Sequence, residues 1–289
     1  MTYPDLWRRL TPRYDDREAQ AIVRLLLDER YGLSLTDLYS DKVTQLSPND
    51  AQELEKMMQR LEKGEPVQYV LGTATFCGRQ FRVAPGVLIP RPETEGLVRE
   101  HSLAPRERSH HAPSILDIGT GSGCIAITLA LDCPEAYVEA WDISEEALAI
   151  AQQNAEALGA KVVFRKVDIL NPNQTPPPFG GGWGAVFSNP PYICEKERKD
   201  MEAHVLDYEP ATALFVPDDD PLLFYRHIAD YAFTTLQHGG ELLFETNPLY
   251  INKVEEMLRE KGFVDITLQE DCFGKLRFVK ALLPKTFTL

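Results

Sequence analysis

The 289-residue sequence has little positive charge: 30 Lys and Arg stand against 44 Asp and Glu, and the formal net charge is −14. Because non-specific affinity for nucleic acid comes from Lys and Arg that displace counterions, this balance argues against a broad phosphate-binding surface. It does not exclude a locally basic groove. No apolar run is long enough to span a bilayer, and the first residues lack the basic and then apolar pattern of a signal peptide. The sequence therefore predicts a cytoplasmic protein that binds neither a membrane nor, directly, nucleic acid.

Cysteine and histidine are also few and scattered. The five cysteines never form a Cys-x-x-Cys pair, and their odd number does not suggest a disulfide framework. They are Cys77, Cys124, Cys133, Cys194 and Cys272. The adjacent pair His110-His111 lies in a polar loop without a partner cluster, so its side chains are expected in solvent. The sequence thus predicts reduced thiols and no metal site.

The first part of the chain has helical patterning, whereas the rest alternates strands and helices. Apolar residues recur at helical spacing in two segments that end at Gly32 and Gly64, and short helices with one apolar face must pack on each other. Two β-prone runs then flank Gly78-Arg79, which suggests a hairpin. We predict a helical domain over residues 1–70, a β-hairpin linker over residues 71–88 and an α/β domain over residues 89–289.

A buried strand over residues 114–118 runs into a glycine-rich turn and then into a helix. A dinucleotide fingerprint would need a glycine where Cys124 stands, and a P-loop would need a Gly-Lys-Ser/Thr ending that is absent. A Gly-x-Gly-x-Gly turn after an acid fits S-adenosyl-L-methionine better, because this ligand carries a carboxylate and an ammonium but no phosphate. Asp117 is placed to hold the ammonium side. The turn comprises Gly119, Thr120, Gly121, Ser122 and Gly123.

The next two strands also end at acidic residues. Asp142 closes the strand over residues 137–142, where its two oxygens can accept both ribose hydroxyls. Asp168 and Ile169 follow the third strand, where the carboxylate would take the adenine amino group and Ile169 would pack on the ring. A turn cap is the alternative role for Asp168. Polar residues at every strand end form one periodic βα pattern, and ligands bind at that edge of an open α/β sheet.

An apolar run over residues 185–187 stops at Ser188 and then at Asn189, followed by Pro190, Pro191 and Tyr192. Proline cannot continue a strand ladder and forces the preceding residue into an extended conformation. Asn189 is therefore predicted at the carboxyl end of a strand, where its amide oxygen and the Pro190 carbonyl converge as acceptors for a ligand NH2 group. Tyr192 would supply a flat wall. An ordinary strand-ending turn is the alternative for this segment.

Assembled in this way, the sequence resembles the protein-(glutamine-N5) methyltransferases of the HemK/PrmC family, which modify peptide chain release factors. The resemblance covers nearly the whole chain, and residues 88–95 and 189–192 are its most specific parts. It implies a Rossmann-like class I S-adenosylmethionine-dependent methyltransferase sheet with a small N-terminal all-helical domain and a β-hairpin linker. It also implies methyl transfer to the glutamine of a Gly-Gly-Gln motif, with S-adenosyl-L-homocysteine as product and the helical domain docking the release factor.

The resemblance also implies roles for the strand end. Asn189 would touch both the methyl donor and the glutamine, while Pro190, Pro191 and Tyr192 would line the glutamine pocket. We expect Asn189, Pro190 and Tyr192 to be catalytic. The predicted mechanism has Asn189 Oδ1 and the Pro190 carbonyl accept both N–H bonds of the glutamine amide.

Two segments depart from the family pattern. Residues 216–221 replace the usual Gly-Gly-x-Asp-Gly stretch, and Glu245-Thr246-Asn247 replaces the usual Glu-Ile-Gly. Both departures concern local loop geometry and not the chemistry.

Two rival functions remain open at this point. DNA adenine-N6 methylation would also suit Asn-Pro-Pro-Tyr, but it requires DNA contacts and a flipped base, and the acidic balance weighs against them. A methyltransferase-like fold that only binds a protein partner is the other rival. The glycine turn and Asn189 weigh against that second rival. We predict a monomer.

Overall fold

The computed structural model describes residues 1–102, 113–172, 176–177 and 181–285, so the pair His110-His111 lies outside the described residues. The chain forms two compact units. The first comprises Met1–Ala74, Val83–Pro85 and Met201–Glu209, and the second comprises Thr75–Arg82, Gly86–Asp200 and Pro210–Leu289. The functional division at residues 70 and 88 stays a prediction.

The described residues form helices, strands and short 3-10 turns in the following order. The helices are α1 (Tyr3–Arg8), α2 (Asp16–Tyr31), α3 (Leu35–Tyr39), α4 (Pro48–Glu62), α5 (Val67–Leu71), α6 (Glu95–Ser102), α7 (Cys124–Asp132), α8 (Glu145–Leu158), α9 (Ala203–Tyr208), α10 (Ala211–Leu214), α11 (Leu223–Thr235) and α12 (Ile251–Glu260). The strands are β1 (Thr73–Phe76), β2 (Arg79–Arg82), β3 (Ser114–Ile118), β4 (Tyr137–Asp142), β5 (Val163–Lys166), β6 (Trp183–Ser188), β7 (Ile193–Cys194), β8 (Phe215–Val216), β9 (Leu236–Glu245), β10 (Val264–Glu270) and β11 (Leu276–Leu282). The 3-10 helices are Lys42–Gln45 and Glu195–Asp200.

The first unit is helical, as predicted. Helix α4 begins at its predicted cap, where Ser47 Oγ accepts a hydrogen bond from the Asp50 N–H, and α2 ends at Gly32 in the left-handed conformation (φ 64°). Apolar stripes of these helices meet in one buried core. Helix α9 belongs to this unit although it lies far along the chain, and Tyr208 Oη donates to the Lys63 carbonyl (3.3 Å). The sequence patterns did not predict this membership.

The predicted hairpin is confirmed, but its turn lies at Cys77-Gly78 and not at the predicted Gly78-Arg79, because Arg79 is already the first residue of β2. Strands β1 and β2 pair, and both turn residues have positive φ, 47° and 72°. Two-residue turns of this kind match the twist of the flanking strands. In the second unit, Asn154 of α8 accepts from the Arg82 N–H (2.7 Å) and donates to the Arg82 carbonyl (3.0 Å).

A seven-stranded sheet forms the second unit, in the order β10-β11-β9-β6-β3-β4-β5. Strands β5, β4, β3, β6 and β9 are parallel to their neighbours in this order, and β11 is antiparallel to both β9 and β10. Within this sheet, the chain enters at β3, continues through β4 to β5 at the edge, and then returns to β6 on the other side of β3. The boundary between β3 and β6 is therefore a topological switch point, where the carboxyl ends of the strands leave a crevice.

The register brings the strand ends into line. Ile118 pairs with Ser188 of β6 and with Trp141 of β4. Gly119 and Asn189, which follow β3 and β6, therefore lie at the same edge as Asp142, the last residue of β4. Ser188 Oγ donates to the Ile118 carbonyl (2.6 Å) and fixes this alignment. The predicted convergence of the strand ends is confirmed.

Candidate active site

A cavity of about 390 Å³ opens at this edge of the sheet, within the range of small-molecule sites. Its lining includes the predicted residues Gly119, Thr120, Gly121, Ser122, Asp142, Asp168, Ile169, Asn189, Pro190 and Pro191. Three other predicted site residues do not belong to this lining: Asp117, Gly123 and Tyr192. One cavity thus joins the glycine turn to the Asn189 strand end.

The glycine turn has the backbone conformation that its sequence predicts. Gly119, Gly121 and Gly123 all have positive φ. At Gly123, the N-cap of α7, an added Cβ would lie 2.7 Å from Ile127 Cδ1 and 3.1 Å from Ala151 Cβ. The tight contact and the positive φ together require glycine at this position. Gly123 therefore shapes the turn from behind the cavity.

Asp117 lies beneath the turn and is fully buried. Its Oδ2 accepts hydrogen bonds from Thr120 Oγ1 (2.6 Å) and from the Ala126 N–H (3.3 Å). Its Oδ1 has no hydrogen-bond partner among the described residues. Burial raises the pKa of Asp117 to about 7. The observed contacts of this carboxyl hold the turn, and its contact with the donor ammonium stays a prediction.

The Asp117→Asn variant is expected to lose a pH dependence of stability. The ordinary pKa of the group is 3.8, so between about pH 7 and pH 4 the folded protein keeps a proton that the unfolded chain releases. Stability from this group therefore rises as the pH falls through that window, whereas above it both states are ionised. Relative to the variant, the free energy of unfolding of the wild type should increase by roughly 1 kcal/mol per pH unit on acidification. Urea unfolding of both proteins at several pH values measures this, and parallel curves would contradict it.

Asp142 connects the second strand end to the turn. Its Oδ2 accepts from the Gly121 N–H and its Oδ1 from the Ser144 N–H, both at 2.9 Å. Burial raises the pKa of Asp142, and these backbone hydrogen bonds oppose that effect. An ionised carboxylate has about four acceptor positions, so both oxygens can still accept from a ligand.

Asp168 lines the cavity and also caps its own turn. Its Oδ1 accepts from the Leu170 N–H (2.9 Å) and its Oδ2 from Asn171 Nδ2 (3.2 Å). The turn cap considered as the alternative role is therefore present. Ile169 is buried beside it in the cavity wall. A role of Asp168 and Ile169 at an adenine ring stays a prediction.

Asn189 follows β6, and its amide has a defined partner. Asn189 Nδ2 donates to Thr94 Oγ1 (3.3 Å), and Thr94 Oγ1 donates to Glu245 Oε2 (2.6 Å). Tyr192 Oη donates to the other oxygen of Glu245 (3.1 Å). Burial raises the pKa of the Tyr192 hydroxyl, which therefore stays protonated. Tyr192 is thus held by Glu245 behind the cavity lining.

Sequence reasoning missed Thr94 and Glu245. Glu245 is the last residue of β9, whose register with β6 pairs Phe244 with Ser188, so Glu245 lies beside Asn189. The strand-end rule that found the other polar residues would have found this one. Thr94 precedes α6 and lies in the specific block of residues 88–95, but no pattern assigned a role to its hydroxyl.

The two departures from the family pattern are accommodated by hydrogen bonds. Asn247 Nδ2 donates to the Tyr192 carbonyl and to both carboxylate oxygens of Glu197, each at 3.2 Å. In the other segment, Asp218 Oδ1 accepts from the Lys196 N–H (2.9 Å), and Asp220 pairs with Arg226 (2.5 Å). Strand β8, at the start of this segment, pairs with β7. Both segments therefore pack beside the strand end after β6.

In the part of the chain that the structure describes, no three His, Cys, Asp or Glu side chains come together as a group that could hold a metal ion. A bilayer-spanning helix would need a length and an apolarity that no helix of the described ranges combines.

Comparison with known proteins gives the family. The model of the methyltransferase small domain matches residues 102–214, and that of the PrmC N-terminal domain matches residues 7–72. The release factor glutamine methyltransferase of Bacteroides thetaiotaomicron is 47% identical over 268 residues, which cover 93% of this chain and 94% of that protein. The enzyme of the same description from Flavobacterium psychrophilum is 38% identical over 270 residues, or 92% of this chain and 93% of the relative.

The match to a solved structure, the catalytic domain of hMettl16, covers 72% of this chain and 76% of that chain, with a TM-score of 0.50. The sequence identity is 18%, so the match shows a likeness of fold alone. Together with the domain match and the sheet topology, it confirms the predicted class I methyltransferase fold. Because the identity to curated relatives extends over nearly the whole length of both chains, this protein belongs to the family of release factor glutamine methyltransferases.

Proposed function

We propose that the protein transfers a methyl group from S-adenosyl-L-methionine to the side-chain nitrogen N5 of the glutamine in the Gly-Gly-Gln motif of a peptide chain release factor. The other product is S-adenosyl-L-homocysteine. The proposal depends on one observation: Asn189 and Pro190 line the same cavity as the glycine turn. The printed descriptions of the relatives name the same kind of substrate.

The residues of the cavity fit the methyl donor. Asp142 has unused acceptor positions for ribose hydroxyls. Among the described lining residues, Arg91 supplies the one Lys or Arg side chain, which suits a cofactor without phosphate. When bound, S-adenosyl-L-methionine would supply a methyl group on a positively charged sulfur.

The chain's own contribution is to orient the substrate amide. An amide nitrogen is a poor nucleophile because its lone pair is delocalised into the carbonyl. Asn189 Oδ1 and the Pro190 carbonyl are two acceptors on one strand end, and together they would accept both N–H bonds of the amide. This fixes the nitrogen with its lone pair toward the donor. Alignment of this kind supplies up to ~7–11 kcal/mol of barrier lowering.

We further infer that the helical domain over residues 1–70 docks the release factor, and that the protein acts as a monomer. The match of residues 7–72 to the PrmC N-terminal domain supports a family-specific role of this region.

Incubation with radiolabelled donor tests the proposed function. The substrates are a release factor, its variant with the Gly-Gly-Gln glutamine replaced by alanine, and duplex DNA. We expect label in the first alone. Label in DNA would favour adenine methylation, and equal label in both release factors would place the acceptor elsewhere. No label in any of them, with measurable donor binding, would contradict the proposal.

A further inference from the structure

We propose that Thr94 and Glu245 are positioning residues for methyl transfer, because their hydrogen bonds decide which end of the Asn189 amide faces the cavity. The inference rests on the proposed function, in which Asn189 Oδ1 receives the substrate amide.

The side chains of Asn189, Thr94 and Glu245 are joined by two successive hydrogen bonds and are called the relay. Each of them is buried or half-buried. Thr94 is 3% exposed and Glu245 is 1% exposed. Asn189 Nδ2 lies 3.3 Å from Thr94 Oγ1, which lies 2.6 Å from Glu245 Oε2. Thr94 and Asn189 line the cavity, and Glu245 lies behind them at the end of β9.

The direction of the relay follows from the number of protons. A threonine hydroxyl has one proton, and an ionised carboxylate only accepts hydrogen bonds. The Thr94 proton therefore goes to Glu245, and Thr94 presents a lone pair to Asn189. Only the NH2 end of an amide can face a lone pair without repulsion. The NH2 group of Asn189 thus faces Thr94, and its carbonyl oxygen is left for the cavity.

The contacts of Glu245 give it the acceptor role that this direction requires. Both of its oxygens accept from hydroxyl groups, those of Thr94 and Tyr192. Burial raises the pKa of Glu245 above its ordinary value, and the two hydrogen bonds and the positive charge of Arg277 oppose this shift without reversing it. Because the same carboxyl group also accepts from Tyr192, one buried side chain orients two residues of the predicted catalytic strand end.

A merely structural role would predict a loss of stability and nothing specific to the transfer step. Thr94→Val removes the hydroxyl at nearly constant volume, and Thr94→Ser restores it. Thr128→Val is the matched control, because Thr128 is fully buried in α7 and its Oγ1 has no hydrogen-bond partner among the described residues. Glu245→Gln replaces the carboxylate with an amide that can donate as well as accept, so the direction of the relay is no longer fixed.

The experiment measures single-turnover methyl transfer to a release factor, the Kd of the methyl donor and the melting temperature. We expect Thr94→Val to lower the transfer rate about 10–100-fold, as for a lost partner of a buried polar group, with the donor Kd within about threefold of wild type. Thr94→Ser should recover most of that loss, and Glu245→Gln should lower the rate about tenfold. A Thr94→Val rate equal to that of Thr128→Val, or a Thr94→Ser rate as low as that of Thr94→Val, would overturn the proposal.

A second readout does not depend on activity. The side-chain NH2 signal of Asn189, identified by NMR through its loss in Asn189→Ala, should be protected from hydrogen exchange in the wild type. Thr94→Val should accelerate this exchange at least about tenfold, since the acceptor is gone. If no release factor is methylated but this protection is seen, the proposed function fails and the relay stands. If methylation occurs and exchange is unchanged in Thr94→Val, the relay fails alone.

Discussion

Replacement of Asn189 by alanine is expected to lower the rate of methyl transfer by about 10²–10³-fold, the range for removal of one preorganised hydrogen-bonding group at a reacting centre. Thr94 holds the Nδ2 end of this amide, so Oδ1 is the acceptor that the variant loses. The prolines that follow keep the strand end in place. Asp142 and the glycine turn stay intact, so donor binding should remain measurable, with a Kd raised less than about tenfold. Single-turnover kinetics and calorimetric titration with S-adenosyl-L-homocysteine measure the two quantities.

Two further variants sharpen this test. Asn189→Asp keeps an acceptor toward the cavity but places a second carboxylate against Thr94, whose single proton already serves Glu245. It should therefore remain slow, although an acceptor is present. Asn252→Ala is the control, since Asn252 is exposed on α12. Turnover near that of the wild type in Asn189→Ala would refute the assigned role.

The strand ends of the site could be predicted because buried strands are readable from the sequence. Where an apolar run meets a glycine turn or a proline pair, the strand is expected to end, because its ladder of backbone hydrogen bonds does not continue. Parallel strands in a βα pattern then place these ends at one edge. Register pairs Ile118 with Ser188, so the residues that follow them, Gly119 and Asn189, are neighbours as expected.

The relay could not be predicted because hydrogen bonds between distant side chains have no periodicity. Thr94 and Glu245 are 151 positions apart, and neither position has a residue type that demands its partner. The same holds for Met201–Glu209, which folds with the N-terminal unit through contacts such as that of Tyr208 with Lys63. Sequence pattern indicates elements and their ends. It does not indicate which side chains of different elements meet.

Replacement of Asp142 by alanine is expected to raise the Kd of the methyl donor about 10²–10³-fold, since hydrogen bonds to a charged group contribute about 1.5–3 kcal/mol each. The carboxylate would accept from both ribose hydroxyls while it holds the Gly121 and Ser144 N–H groups. Asp142→Asn keeps one acceptor oxygen and should raise the Kd only about tenfold. Because burial raises the pKa of Asp142, acidification protonates this carboxylate in the folded protein. The affinity of the wild type for the donor should therefore decrease as the pH is lowered.

The Ala variant loses the tether to Gly121 as well as the ribose acceptor, so affinity alone does not separate the two effects. A cycle with a 2′-deoxy analogue of S-adenosyl-L-homocysteine separates them. If Asp142 binds the ribose, the analogue binds the wild type less tightly than the parent ligand, and this difference disappears in Asp142→Ala. If Asp142 only holds the turn, the substitution weakens both ligands by the same factor, and the ribose assignment is wrong. The turn would then be the element that determines donor affinity, with Asp142 acting on it through the Gly121 N–H.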